Sequence, residues 1–250
     1  MNPLRACGAV LGSAYWEPPM DFPNSRRPTV SWLGQAVLRL RILWVAKMLG
    51  SMLGMAAFFT VYFWLLNHRF FPITIVPFTV LDRLVTFRPE AFPLYVSLWV
   101  YVLLAPALLK NSRELGSYGI AVVGLSLIGF GVFFLWPTAV PKSGIDWARH
   151  PSLSFLQEVD ASGNALPSLH VAFAVFTALW LDRLLREVGA GGIIRGLNVL
   201  WCLGIVYSTL AIRQHVALDA LAGAVLGAGV ATLHLRLVGA APARAASPRV

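Results

Sequence analysis

His215 and Asp219 stand four residues apart in STLAIRQHVALDALAG, residues 208–223. At that spacing two side chains share one helix face, which permits a hydrogen bond between carboxylate and imidazole. Such a bond fixes the ring tautomer and leaves the second ring nitrogen unprotonated and nucleophilic. The carboxylate then stabilises the positive ring after attack. The plainer reading is a polar pair that anchors a helix at an interface. A second group lies in NALPSLHVAF, residues 164–173, where Ser168 and His170 open an apolar run directly after Pro167. A proline suits the first helical turn because its missing N–H has no partner there. The remaining free N–H groups and the partial positive charge of a helix start suit a phosphate, and Ser168 adds a hydroxyl. Read alone, this is also an ordinary capped helix start.

Cations stand nearby in the chain. Lys142 and Arg149 are separated by six residues in WPTAVPKSGIDWARHP, and Arg213 lies two residues before His215. Such side chains hold phosphoryl oxygens by charge-assisted hydrogen bonds and stabilise charge on them during transfer. Asp146, His150, Glu158 and Asp160 share the long loop and are not ranked by sequence. Metal ligation by His170, His215 and Asp219 is a weaker alternative, because a dedicated site shows a fuller ligand set. The chain has no paired-cysteine motif suited to zinc and no Gly-rich phosphate loop.

The elements that must position these residues are membrane helices. Of 250 residues, 58% are hydrophobic and 12% charged, with a mean hydropathy of +0.70, beyond what a soluble domain of this size tolerates. Crossing a hydrocarbon core of about 30 Å takes roughly 20 apolar residues in a helix. Six spans are expected, at 43–66, 92–109, 118–137, 168–185, 197–213 and 216–236. The expected fold is therefore an all-α polytopic bundle and not a barrel of alternating strands. The +9 charge follows from positive residues left on the cytoplasmic side and calls for no nucleic acid. With both termini cytoplasmic, the inner segments hold 13 cations and the outer ones 6. Lys47, at the inner end of the first span, is expected to snorkel.

Residues 1–40 read as a cytoplasmic arm with a short interfacial helix, 41–237 as the six-helix membrane domain, and 238–250 as a disordered tail. Outside segments 67–91 and 138–167 are too short to hide a soluble domain; the apolar FFPITIVPFTVL of the first reads as part of a connecting loop, with an interfacial segment or a lid over a cavity as the alternative. Gly50 with Gly54, and Gly223 with Gly227, form small-residue faces expected to pack helices. Cys7 and Cys202 fall in the arm and in a span, which argues against a structural disulfide. Topology joins the two histidine motifs. Residues 164–170 precede the fourth span and 208–219 join the fifth to the sixth, so two crossings separate them and they meet the same face.

A cationic loop, then PSLH, then H-x3-D across six spans resembles the membrane-bound phosphatidic acid phosphatase type-two superfamily. Its usual signatures are K-x6-R-P, P-S-G-H and S-R-x5-H-x3-D, and the resemblance covers roughly residues 80–225. It implies His215 as the nucleophile that takes the phosphoryl group, Asp219 as its orienting partner and His170 as the acid that protonates the leaving oxygen. Ser168, Leu169, Lys142, Arg149 and Arg213 fall in the implied phosphate-binding set, with no metal and no organic cofactor. Leu169 stands where the family has Gly, Thr209 where it has Arg, and His150 intervenes between Arg149 and Pro151. The segment FRPEAFPLYVSLWVYVLLAP and the ST…RQH…D pattern look more like the branch containing inositol phosphorylceramide synthases, which are phosphotransferases. The implied partner is a phospholipid or other lipid phosphate among membrane lipids; the charge asymmetry puts the site at the outer face, and the compact six-span chain is expected in a bacterial cytoplasmic membrane. A non-catalytic lipid-binding or transport protein on the same scaffold is the rival. Oligomeric state, lipid and acceptor are not legible in the sequence.

Overall fold

The computed structural model describes residues 31–142, 144–150, 153 and 163–240. Most of the expected arm, the last ten residues of the expected tail, Cys7, Glu158 and Asp160 lie outside them. Helix α1, Trp32–Arg41, begins at Ser31, whose hydroxyl accepts from Gly34 N–H at 3.2 Å. None of its residues is buried, and it ends on Arg39 and Arg41. That pattern suits a helix lying at a membrane interface.

Helix α2, Trp44–Asn67, has 24 residues, long enough at about 1.5 Å per residue to cross the hydrocarbon. Leu49, Met52, Leu53, Val61 and Trp64 are exposed on it, as a lipid-facing helix requires. Lys47 departs from expectation. Instead of snorkelling it is buried, and its Nζ donates to the carbonyls of Arg39 at 2.7 Å and Ala107 at 2.8 Å. These are carbonyls at helix ends, which need donors.

The two connections that the sequence assigns outside are tied to each other. Strands β1, Thr74–Ile75, and β2, Thr138–Ala139, pair in parallel with Thr74 opposite Thr138. A short helix α3, Val80–Leu84, follows β1. The next crossing, Pro89–Ala107, is broken into α4, Phe92–Val96, and α5, Leu98–Ala107. Helix α6, Ser112–Leu135, starts earlier than expected because the Asn111 side chain caps it, accepting from Glu114 N–H at 2.8 Å. The last three helices are α7, Leu169–Glu187, α8, Gly192–Ala211, and α9, Ala217–Ala240.

Among the described residues, five helices are long and apolar enough to cross a membrane: α2, the broken Pro89–Ala107 unit, α6, α8 and α9. The fourth expected span, α7, has 19 residues but carries Asp182, Arg183, Arg186 and Glu187 at its far end. The bundle shields it. Val171, Ala172, Ala174, Phe176 and Leu184 are fully buried, and α5, α8 and α9 all pack on it. Its charges are paired: Asp182 with Arg186 at 2.6 Å and Arg195 at 2.7 Å, Glu187 with Arg183 at 2.9 Å and with Arg39 and Lys110 at 3.3 Å. A charged segment is thereby accommodated in the middle of an apolar bundle.

Close packing holds the bundle more than polar contacts do. Tyr101 Oη donates to Asn198 Oδ1 at 2.6 Å and Asn198 Nδ2 to the Ala178 carbonyl at 3.0 Å, linking α5, α8 and α7. Such interhelical bonds contribute about 0.6 kcal/mol each on average in a bilayer. Tight helix approach is bought at the glycines of α9: a Cβ on Gly223 would collide with the Ser168 carbonyl, and one on Gly227 with the Ala172 carbonyl. Gly50 and Gly54 behave otherwise. No described protein atom lies where their Cβ atoms would sit, so that pair does not pack helices within this bundle.

Candidate active site

The chain leaving α8 turns sharply before α9. Arg213 takes the left-handed conformation, φ 60°, and the N–H groups of both Gln214 and His215 donate to the Thr209 carbonyl at 3.1 Å. His215 therefore lies in this turn, outside the helix, which corrects the expectation of one shared helix face. Asp219, in the first turn of α9, reaches back to it. Its Oδ2 is 2.9 Å from His215 Nδ1, and its Oδ1 accepts from Ala220 N–H at 3.0 Å. The carboxylate is fully buried and the imidazole nearly so, which strengthens their interaction. With Nδ1–H donated to the carboxylate, the lone pair of the ring is on Nε2.

The start of α7 is fastened to this turn. Ser168 is the N-cap, so Pro167 lies just outside the helix and not in its first turn as the sequence suggests. Ser168 is fully buried, its N–H donates to the Asp219 carbonyl at 2.9 Å, and its Oγ accepts from Val171 N–H at 3.3 Å. The collision that Gly223 avoids is with this same residue, so α9 can deliver Asp219 here only because position 223 lacks a side chain. Leu169 turns the other way, packing its side chain on Gly129 of α6. Bulk at 169 is thus taken up by a missing side chain at 129.

His170 projects from the first turn of α7. Its ring stacks on Tyr95 of α4, centroids 3.9 Å apart and planes within 10°, with the edge of Trp99 at 6.3 Å. Its Nε2 lies 3.1 Å from the Tyr95 carbonyl, an acceptor only, so Nε2 carries a hydrogen and any proton offered elsewhere is on Nδ1. The bond from Ser168 N–H to the Asp219 carbonyl holds this helix start against the His215 turn. The two histidine motifs, which two crossings separate in the sequence, are thus brought together with Ser168 and Asp219.

The cations are placed differently. Arg213 Nη1 donates to the Asp82 carbonyl at 2.9 Å and Nη2 to the Val85 carbonyl at 2.7 Å, with the Phe78 ring at 6.0 Å. Its guanidinium clamps the α3 segment to the His215 turn. Lys142 is exposed just after β2. Arg149 is exposed and pairs with Asp146 at 3.1 Å. Together with His150 it lines an open cleft of about 370 Å³ whose other walls include Glu90, Phe92 and Pro93. Thr209, where an Arg was expected, is fully buried and its hydroxyl donates to the Val206 carbonyl at 2.7 Å. Among the described residues no group of three or more His, Cys, Asp and Glu side chains is arranged to hold a metal ion.

Some residues of the site are not evident from the sequence. Asp82 is 2% exposed, yet its carboxylate is fully engaged: Oδ1 accepts from Ala217 N–H at 2.7 Å, and Oδ2 from Thr79 N–H and Oγ at 2.7 Å. It caps α9 from the short helix α3 and so orders the turn that holds His215. The T-x-x-D spacing of Thr79 and Asp82 is a capping-box signal in the sequence, but it reports only the local helix, not the cap on α9. Tyr95, the stacking partner of His170, carries no such signal. Asn164 and Gln214 are buried beside the two motifs.

A family model described as the PAP2 superfamily matches residues 91–233, more than half of the chain and both histidine motifs. No curated protein and no solved structure matches it.

Proposed function

Because the chain belongs to the PAP2 superfamily, we propose that it is an integral membrane phosphatase or phosphotransferase that acts on a lipid phosphate ester through a phosphohistidine on His215. The observation that carries this reading is the buried Asp219–His215 hydrogen bond, linked through the Ser168 N–H to the helix start that bears His170. In the first step His215 Nε2 attacks phosphorus, the bond from phosphorus to the ester oxygen breaks, and His170 Nδ1 gives its proton to that leaving oxygen. Asp219 stabilises the ring as it becomes positive. In the second step water or another alcohol attacks the phosphohistidine, its proton passes to His170, and His215 is released.

The acceptor decides between phosphatase and phosphotransferase. The branch that resembles inositol phosphorylceramide synthases favours transfer to an alcohol. The excess of Lys and Arg on the segments assigned inside favours a site facing outward from a bacterial cytoplasmic membrane. Thr209 in place of the expected Arg favours the rival reading, a lipid-binding protein without turnover.

A metal-free assay of purified protein on a panel of lipid phosphates tests the proposal. Turnover is expected for wild type, with kcat/KM falling about 10⁴-fold or more in His215→Ala. Full activity of His215→Ala contradicts the mechanism, and tight lipid binding with no turnover favours the rival. Product analysis with water alone, then with added inositol and diacylglycerol, separates hydrolysis from transfer.

A further inference from the structure

Asn164 and Gln214 are 6% and 7% exposed, yet Asn164 Nδ2 and Gln214 Nε2 have no hydrogen-bond partner among the described residues. Buried amide donors are normally satisfied, because burial removes the water that would otherwise accept from them. Two such donors beside one site call for an acceptor that is not part of the protein.

Their placement says which acceptor. Gln214 immediately precedes His215, and Asn164 lies four residues before Ser168. Both backbones are held. Gln214 N–H donates to the Thr209 carbonyl, while next to Asn164 the Ala165 N–H donates to the Thr138 carbonyl at 3.2 Å and Leu166 N–H to Thr138 Oγ at 2.8 Å. The two segments also meet, since Ala165 and Val216 bury themselves in one apolar cluster with Val76. Of the expected phosphate ligands, Arg213 is held by two carbonyls of the α3 segment and Arg149 pairs with Asp146 on the surface, while Lys142 is exposed and Ser168 Oγ, which accepts from Val171 N–H, keeps its own hydrogen to donate.

We propose that Asn164 Nδ2 and Gln214 Nε2 are the donors that hold the phosphoryl oxygens of the substrate, one from each histidine motif. The proposal rests on the reading of His215 and His170 as a phosphoryl-transfer pair. A phosphoryl group offers acceptors and no obligatory donor, which complements two amide N–H groups on fixed backbone. Donors preorganised in a water-poor site stabilise developing negative charge without reorganising. Neutral amides then do part of what arginine does elsewhere, and Thr209 need not be replaced by a charge.

The test uses the full chain in detergent micelles, as wild type, Gln214→Met and Asn164→Leu, with inorganic phosphate as the probe. Affinity is measured by calorimetric titration, and the melting temperature with and without phosphate. Wild type is expected to bind phosphate and melt higher with it, and each variant to bind about tenfold more weakly or worse. Without phosphate the variants should melt at or above the wild-type temperature, because each loses an unsatisfied buried donor. The two are read separately, so a variant that fails to fold leaves the other to decide. Affinity within about twofold of wild type in the folded variants overturns the proposal, as does a wild type that binds no phosphate. Phosphate binding without turnover of any lipid phosphate leaves this site standing and contradicts the proposed enzyme.

Discussion

In the proposed mechanism a single hydrogen bond sets the chemistry at the residue scale. Held by Asp219 Oδ2 at 2.9 Å, His215 Nδ1 keeps its hydrogen and Nε2 keeps its lone pair. An amide at 219 has the size of the carboxylate but can turn its NH2 toward the ring, which forces the opposite tautomer. Asp219→Asn is therefore expected to lower kcat by about 10²–10⁴-fold with little change in KM, measured by steady-state kinetics on the best lipid of the panel. An unchanged kcat would separate Asp219 from the chemistry. The pairing of His215 with Asp219 and the nearness of Ser168 to His170 were legible from short spacing, although the structure puts His215 in a turn and not on the helix of Asp219. Asn164 and Gln214 were not, since an amide becomes informative only when its burial and its missing partner are seen together.

Elements decide whether those residues meet. α9 crosses the start of α7 at Gly223 and Gly227, and the main-chain bond from Ser168 N–H to the Asp219 carbonyl forms only at that close approach. Gly223→Ala must push α9 away from the Ser168 carbonyl, a backbone atom that cannot rotate aside. Overpacking of this kind costs about 1–3 kcal/mol, so a lower melting temperature and loss of turnover are expected. Gly50→Ala is the matched control. Its Cβ meets nothing in the bundle and gains helix propensity, so melting and activity should be kept. Both glycine pairs look alike in the sequence, which records spacing but not what faces it. Asp82 makes the same point: its capping box reads as local, while its other oxygen holds the N–H of Ala217 across the fold.

At the scale of the whole molecule, the all-α membrane bundle was legible because hydropathy and length alone call for spanning helices. α7 shows the limit of that reasoning. The helix carrying His170 is too charged to be apolar along its length, and it is stable because other helices surround it and cations of α1, α8 and the α5–α6 connection pair with its acids. Its 19 residues make it about 28 Å long, close to a hydrocarbon thickness, with His170 in its first turn and the ion-paired residues in its last two. With the proposed chemistry at one end and charge pairing at the other, the helix has the arrangement expected of an enzyme working at one membrane face. The most direct test of the account is to mix purified protein with a lipid phosphate labelled in its phosphoryl group, quench during turnover, and locate the label by peptide mapping. An acid-labile, base-stable phosphohistidine on His215, absent from His215→Ala, is the predicted result. Turnover with no covalent label, or with the label on another residue, would contradict it.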